Sequence, residues 1–353
     1  MSKDNSSSNY SLINIDTAWV SKLIDVISSG VGALSANFVA KQITKGKKYE
    51  IEEIAKSIAE ANKLPVKANY KNGNLTVQPK DDSIDPVDFP EYRAAEFMVR
   101  KESLKLASVE KASLFTAEEL KKKSESGEKI SDKDVDERWI SKFFDEVGNI
   151  REEKALKYWS KLLAGEIQSP GSFSIRTLNL LGNINTEEAE LIYYALNHTF
   201  LVSLPKIPNL KFRNNFGFIF YENQPETYEN EVLPHYKAEL LSSLGILASS
   251  SSTVMLLEKE EDEKMFYYGN YGFKVSRADS QKPQDIRSGK VKLLTHLGLE
   301  LLELQEFETN KEYIFSVGSK ISKKNLDVTI LKDSFIKNEQ IYFDKVVREI
   351  PHN

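Results

Sequence analysis

The spacing of apolar residues changes near residue 200, and that change bounds the architecture more tightly than any single motif. Before it, apolar residues recur almost throughout at three- and four-residue intervals, the period of amphipathic helices. After it, runs such as Phe216–Tyr221, Thr253–Glu258, Lys264–Tyr268, Tyr271–Ser276, Tyr313–Val317 and Leu326–Leu331 read as strands. Helices at about Pro234–Leu244 and Leu294–Leu304 interleave with them. The fold class expected is therefore α+β. A mainly helical N-terminal half holds a central helical bundle, and a mixed, winged-helix-like C-terminal region follows.

The pattern divides the 353 residues into segments. Residues 1–15 are polar and read as a disordered tail. Residues 16–133 read as a helical region with a small hairpin near 66–77, centred on Asn72-Gly73, a pair that tolerates positive φ. Residues 134–203 read as the central bundle, 204–305 as the winged-helix-like module, and 306–353 as an α+β extension. In the first region a helix is expected from Ala18, capped by Asp16 or Thr17, with Gly30 and Gly32 inside it. A second covers Glu50–Asn62. A long one covers Glu91–Glu110 and resumes over Thr116–Lys123. Two polar linkers are expected, at 79–90 and 121–133.

Composition removes several chemistries. The chain has no cysteine, which excludes thiol nucleophiles, disulfides and zinc ribbons together. A formal net charge of −5 is wrong for a nucleic-acid coat, although a local basic patch is compatible with it. The opening residues MSKDNSSSN show no charged-then-apolar leader pattern, and the expectation is a cytoplasmic protein. Residues 18–43 are the most lipid-like. Lys22, Asp25 and Lys41 interrupt them, so a buried packing helix is the plain reading and a membrane-surface or oligomerisation segment through residues 18–48 the sharper one.

The four histidines, His198, His235, His296 and His352, form no i, i+4 pair, and there is no HExxH, Walker loop or GxSxG elbow. His198 and His296 are read as helix-face or satisfied core residues. Asp81, Asp82, Asp85 and Asp88 lack the glycine and closing glutamate of a calcium loop and read as a solvated linker. No cofactor or metal ligand set is assigned, and the weight falls toward a protein that is not an enzyme.

Residues 136–192, DERWISKFFDEVGNIREEKALKYWSKLLAGEIQSPGSFSIRTLNLLGNINTEEAELI, read as three or four packed helices. Trp139 and Trp159 line their inner faces. Pro170 breaks the chain, Ser172 or Ser174 caps the third helix, and Thr186 with Glu188 and Glu190 opens the fourth. Glu166, Arg176, Glu187 and Glu188 are the polar members. They form either an acid–base cluster or, the plainer account, helix caps and ion pairs.

This order of WxxxF, WSKLLAGEIQSPGSFS and RTLNLLGNINTEEA resembles the bacterial domain-of-unknown-function family 2806. A looser likeness extends upstream to about Arg93 and downstream through the winged-looking region. The central segment is also similar to the abortive-infection alpha family, whose members act in bacterial self-sacrifice during phage infection. That second likeness implies a role in phage defence or stress response. The residues of the central motif given functional weight are Trp139, Trp159, Glu166, Pro170, Arg176 and Glu188.

In the C-terminal half, HYKAELLSSLGIL (His235–Leu247), the strands of 253–276 and KVKLLTHLGLELLEL (Lys290–Leu304) are similar to winged-helix modules. Thr295 would cap the second helix, with Gly298 set for close packing. The acidic run Glu258–Glu263 stands at the candidate wing tip and opposes phosphate, partly offset by Lys274, Arg277, Lys282, Arg287, Lys290 and Lys292. Three functional readings follow: a noncatalytic interaction or sensor protein in defence or stress, working through a protein partner or homo-oligomer; a DNA-associated regulator; and a membrane-acting effector.

Overall fold

The computed structural model describes residues 18–45, 51–71, 74–83, 85, 87, 89–203, 215–222, 233–278, 283–305, 308–337 and 340–351. The expected tail, the caps at Asp16 and Thr17, the Asn72-Gly73 turn, Asp88, Lys282 and His352 lie outside them. The chain forms two compact units, Met1–Leu178 and Asn179–Asn353. The division falls inside the 134–203 segment.

In the first unit, α1 (Ala18–Val31) and α2 (Ala33–Lys45) replace the single helix expected there. Gly32 adopts φ +109, a left-handed conformation that glycine takes without penalty and that ends the helix. Gly30 serves a different purpose: a Cβ on it would stand 2.1 Å from the Phe144 ring, so its absence lets α1 lie close on its neighbour. Trp19, Leu23, Val26 and Ile27 are buried at helical spacing, as a packing helix requires. No helix among the described residues is long and apolar enough to cross a membrane.

Next come α3 (Ile51–Ala61) and the antiparallel pair β1 (Val66–Lys71) and β2 (Asn74–Pro79), whose register sets Lys71 opposite Asn74. Against them lies α4 (Pro90–Glu125), one unbroken helix of 36 residues where an interruption was expected. Pro90 opens it, and Lys111–Phe115 contains no breaker. The Ser113 and Thr116 hydroxyls donate to carbonyls four residues back and stay inside the helix. Its first half closes a small core with Ala55, Ala59, Val66, Ala68 and Leu75. Its second half carries α5 (Glu137–Val147) and α6 (Glu153–Gln168) together with α1 and α2.

The second unit begins within α7 (Ile175–Leu181) and continues with α8 (Thr186–Asn197), which packs on α9 (His235–Ser243) and α10 (His296–Leu302). Its main sheet runs in the order β10 (Val291–Leu293), β4 (Asn215–Glu222), β3 (Phe200–Ser203), β7 (Glu263–Tyr268), β8 (Tyr271–Arg277), β11 (Leu326–Lys337), β12 (Gln340–Ile350), with β5 (Leu233–Pro234) beside β4. A second small sheet pairs β6 (Met255–Leu257) with β9 (Ile286–Arg287). The segment Tyr313–Val317, expected to be a strand, lies in α11 (Lys311–Ser322). The Asn310 side chain caps that helix by accepting from the Tyr313 N–H at 3.1 Å. Tyr313, Ile314, Val317 and Ile321 then fall on one helical face against the sheet's Phe273, Val328 and Ile330. A buried run of four or five apolar residues does not by itself distinguish strand from helix.

The helix ends expected around Gly245, Thr295 and Gly298 are formed. Gly245 (φ +79) ends α9, the Thr295 hydroxyl caps α10 by accepting from the Gly298 N–H, and a Cβ on Gly298 would stand 2.5 Å from the Ile246 carbonyl oxygen. The β7–β8 hairpin, however, has no free edge. Strand β3 pairs one side of it and β11 the other. Two of the basic residues read as an offset to the acidic run bond to that run directly, while Arg287 and Lys290 are exposed. The Arg277 guanidinium donates to the carbonyls of Glu258 and Glu261, and Lys274 pairs with Glu263.

Candidate functional site

The stretch from Trp139 to Phe173 builds a clasp at the end of α6. Trp139 stacks on Phe143 with ring centroids 5.3 Å apart, and Phe143 meets Trp159 at 5.7 Å. Such aromatic contacts contribute about 1 kcal/mol each beyond their buried area. The Asp136 carboxylate caps α5 by accepting from the Trp139 N–H at 3.0 Å.

At the end of α6 the chain turns through Ser169, Pro170, Gly171 and Ser172, closed by the Ser172 N–H donating to the Ser169 carbonyl at 3.1 Å. Proline second and glycine third, with Gly171 at φ +90, is the chemistry of a type II turn. The Glu166 carboxylate, 1% exposed, reaches across this turn. One oxygen accepts from the Gly171 N–H at 2.6 Å and the other from the Phe173 N–H at 2.9 Å. Phe173 is thereby drawn onto α6, where a Cβ on Gly165 would come within 2.7 Å of its ring. The run AGE…PGSF is thus accounted for residue by residue. Glycine admits the ring, glutamate holds two backbone donors, Pro-Gly makes the turn, and phenylalanine fills the gap. Ser174 is the cap of α7, accepting from the Thr177 N–H at 3.4 Å, while the Ser172 hydroxyl donates back to Ser169.

The other polar members do not join Glu166. Arg176 and Glu187 are exposed. Glu188 belongs to the second unit and completes a capping box. It accepts from the Asn185 N–H at 3.0 Å, while Asn185 accepts from the Glu188 N–H at 2.9 Å. Asn185, and not Thr186, is the cap. Among the described residues no group of three or more histidines and carboxylates is arranged to hold a metal ion.

Chemistry-bearing side chains gather at two places in the second unit that the sequence reading did not assemble. The first surrounds His198, 6% exposed at the end of α8. Its Nδ1 donates to the Tyr194 carbonyl at 2.7 Å, which fixes the proton on that nitrogen, and its buried Nε2 has no hydrogen-bond partner among the described residues. Tyr194 stacks on the ring at 4.1 Å, Tyr313 meets it edge-on at 4.5 Å, and the Tyr313 hydroxyl donates to the His198 carbonyl at 3.0 Å. Burial lowers the affinity of the imidazole for a proton and outweighs the Tyr194 hydrogen bond. Burial also pushes the Tyr268 phenol up to about 12 and Tyr313 well above its usual range. All three groups stay neutral near pH 7. His198 is thus a core histidine, as expected, but only half satisfied.

The second place surrounds Lys292 on β10. Expected as part of a basic patch, its side chain is 1% exposed. The ammonium donates to the Ser249 carbonyl at 2.6 Å, pairs with Glu239 of α9 at 2.9 Å, and lies 5.8 Å from the centre of the Tyr221 ring. The His235 ring stacks on Tyr221 with centroids 6.0 Å apart, and the Tyr221 hydroxyl bonds Ser251. The Lys292 hydrogen bond holds the Glu239 carboxyl below its usual range. The ion pair ties α9 to the sheet edge. Val291 and Lys292 are both buried in β10, so the strand's alternation gave no signal of the buried lysine.

No curated protein and no solved structure matches the chain. The family model described as Protein of unknown function (DUF2806) matches residues 92–317, from the start of α4 to the middle of α11, and so takes in the clasp and both side-chain clusters. With well over half of its length matched, the chain belongs to the DUF2806 family.

Proposed function

We propose that this protein is a noncatalytic interaction or sensor protein, acting through a protein partner or a second copy of itself in phage defence or a stress response. The observation that carries the reading is the clasp: the signature's buried carboxylate spends both oxygens on backbone donors of its own loop. A carboxylate so engaged positions a turn and is not available to shuttle protons. The remaining signature polar residues cap a helix or face solvent. The defence role rests on the likeness of the central segment to the abortive-infection alpha family.

Phage plating on cells with and without the gene tests the reading, with Arg176→Ala and Glu188→Gln carried alongside. The expected result is protection by the wild type and equal protection by both variants. Absence of protection against a broad phage panel overturns the defence role. Loss of protection in a variant that retains wild-type stability overturns the noncatalytic one.

A further inference from the structure

A second buried acid in the first unit has no such pair of donors. Glu110 lies midway along α4 and is 5% exposed. Its hydrogen-bond partner is the Ser35 hydroxyl, in the first turn of α2. The two helices joined by Gly32 bury different sets of side chains. Helix α1 buries Trp19, Leu23, Val26 and Ile27, and fits Gly30 against Phe144. The buried side chains described on α2 are Ala36, Val39 and Gln42, and the Gln42 side-chain oxygen is buried without a partner among the described residues. Leu34, at the start of α2, is 87% exposed. A glycine hinge at φ +109 and a helix docked over a buried acid make a moving part.

We propose that α2 is a proton-operated latch, docked on α4 while the Glu110 carboxyl is protonated and released about Gly32 when it ionises. A neutral carboxyl needs little more than the Ser35 hydroxyl. A carboxylate needs several donors or water, and release of α2 supplies water. Burial pushes the Glu110 carboxyl up to about 7, outweighing the Ser35 hydrogen bond that favours the charged form.

The charged groups on the surrounding helices are exposed or committed elsewhere. On α1, Lys22 donates to the carbonyls of Ser131 and Lys133, and Asp25 is exposed. On α2, Lys41 is exposed. On α4, Lys105 pairs with Asp145 of α5, and Lys111 shares Glu153 with Lys157 of α6. On α5, Lys142 pairs with Glu146, and Glu137 and Arg138 are exposed. On α6, Lys154 is exposed, Lys161 is half-buried, Glu166 holds its loop, and burial raises the Tyr158 phenol, which stays neutral.

The docked state therefore holds a proton that the released state gives up. Docking weakens as pH rises from the ordinary carboxyl value of 4.5 to about 7, and levels off above that. Over pH 5.5 to 7.5 the opening constant of α2 rises roughly 20-fold by this linkage. The latch gives the sensor reading a trigger and rests on that reading only for its use. Exchange can fail while plating protects, and the reverse.

The test is hydrogen exchange by mass spectrometry on the full chain at pH 5.5 and 7.5, corrected for the intrinsic pH dependence of exchange. The expected result is a roughly 20-fold rise in opening of α2 amides in the wild type, no rise in Glu110→Gln, and no rise in α1 of either protein. Equal pH responses of α2 in wild type and variant overturn the latch, as does α1 opening in step with α2. Should Glu110→Gln fail to fold, carbon-13 titration of the wild-type glutamate carboxyls decides. One titrating near pH 7 supports the latch, and all titrating below about 5.5 overturns it.

Discussion

The clasp at the end of α6 and the seam between α2 and α4 each bury one glutamate, and the two acids are treated in opposite ways. Glu166 meets two backbone N–H groups at 2.6 and 2.9 Å, one for each oxygen. Glu110 meets one hydroxyl. The first arrangement replaces what water would have provided, and the charge becomes part of the fold. The second leaves a carboxyl whose comfort depends on its proton. Burial alone therefore says little about what an acid does; the donors around it decide whether it is a fastener or a trigger.

The comparison breaks most readily at Glu166 itself. Glu166→Ala leaves the Gly171 and Phe173 N–H groups without an acceptor in a buried loop, and the expected loss is about 4 kcal/mol, read as a fall in urea midpoint with an unchanged slope. Gly165→Ala attacks the same clasp from the steric side. Its methyl would stand 2.7 Å from the Phe173 ring, and the expected loss is about 2 kcal/mol by the same unfolding experiment. Gly32→Ala strikes the seam's hinge, where nothing lies within 4 Å and only the positive φ resists. About 1 kcal/mol is expected, appearing as faster hydrogen exchange in α2 with α1 unchanged. Asn185→Ala, outside both regions, removes half of a capping box and is expected to cost about 1 kcal/mol or less in thermal unfolding, with no effect on α2 exchange.

The clasp was largely legible in the sequence and the seam was not. Pro170-Gly171 announces a turn, Ser174 a cap, and Trp139 and Trp159 an inner face, because each rests on local backbone or periodicity rules. What sequence withheld was that Glu166 reaches forward to Gly171 and Phe173; the proximity of LAGE to PGSF was the available signal. Glu110 sits in KLASVEKAS, where a glutamate among small residues looks like any solvated helix position. Its burial depends on α2 arriving from 75 residues earlier, between Ser35 and Glu110. Tyr313–Val317 misleads for a related reason. A short apolar run fits either period, and the deciding Asn310 cap stands outside it. Lys292 and His198 share the difficulty: their partners, Glu239 and Tyr313, come from distant segments.

Urea unfolding of the wild type, Glu166→Gln and Glu110→Gln at pH 5.5 and 7.5 puts both acids in one experiment. Glutamine is nearly isosteric with glutamate, but at position 166 its amide N–H₂ must face a backbone N–H. The account predicts a loss of about 2 kcal/mol for Glu166→Gln at both pH values. It predicts that the stability of Glu110→Gln relative to wild type rises by about 2 kcal/mol between pH 5.5 and 7.5. Glu166→Gln as stable as the wild type, or Glu110→Gln tracking it at both pH values, would contradict the account.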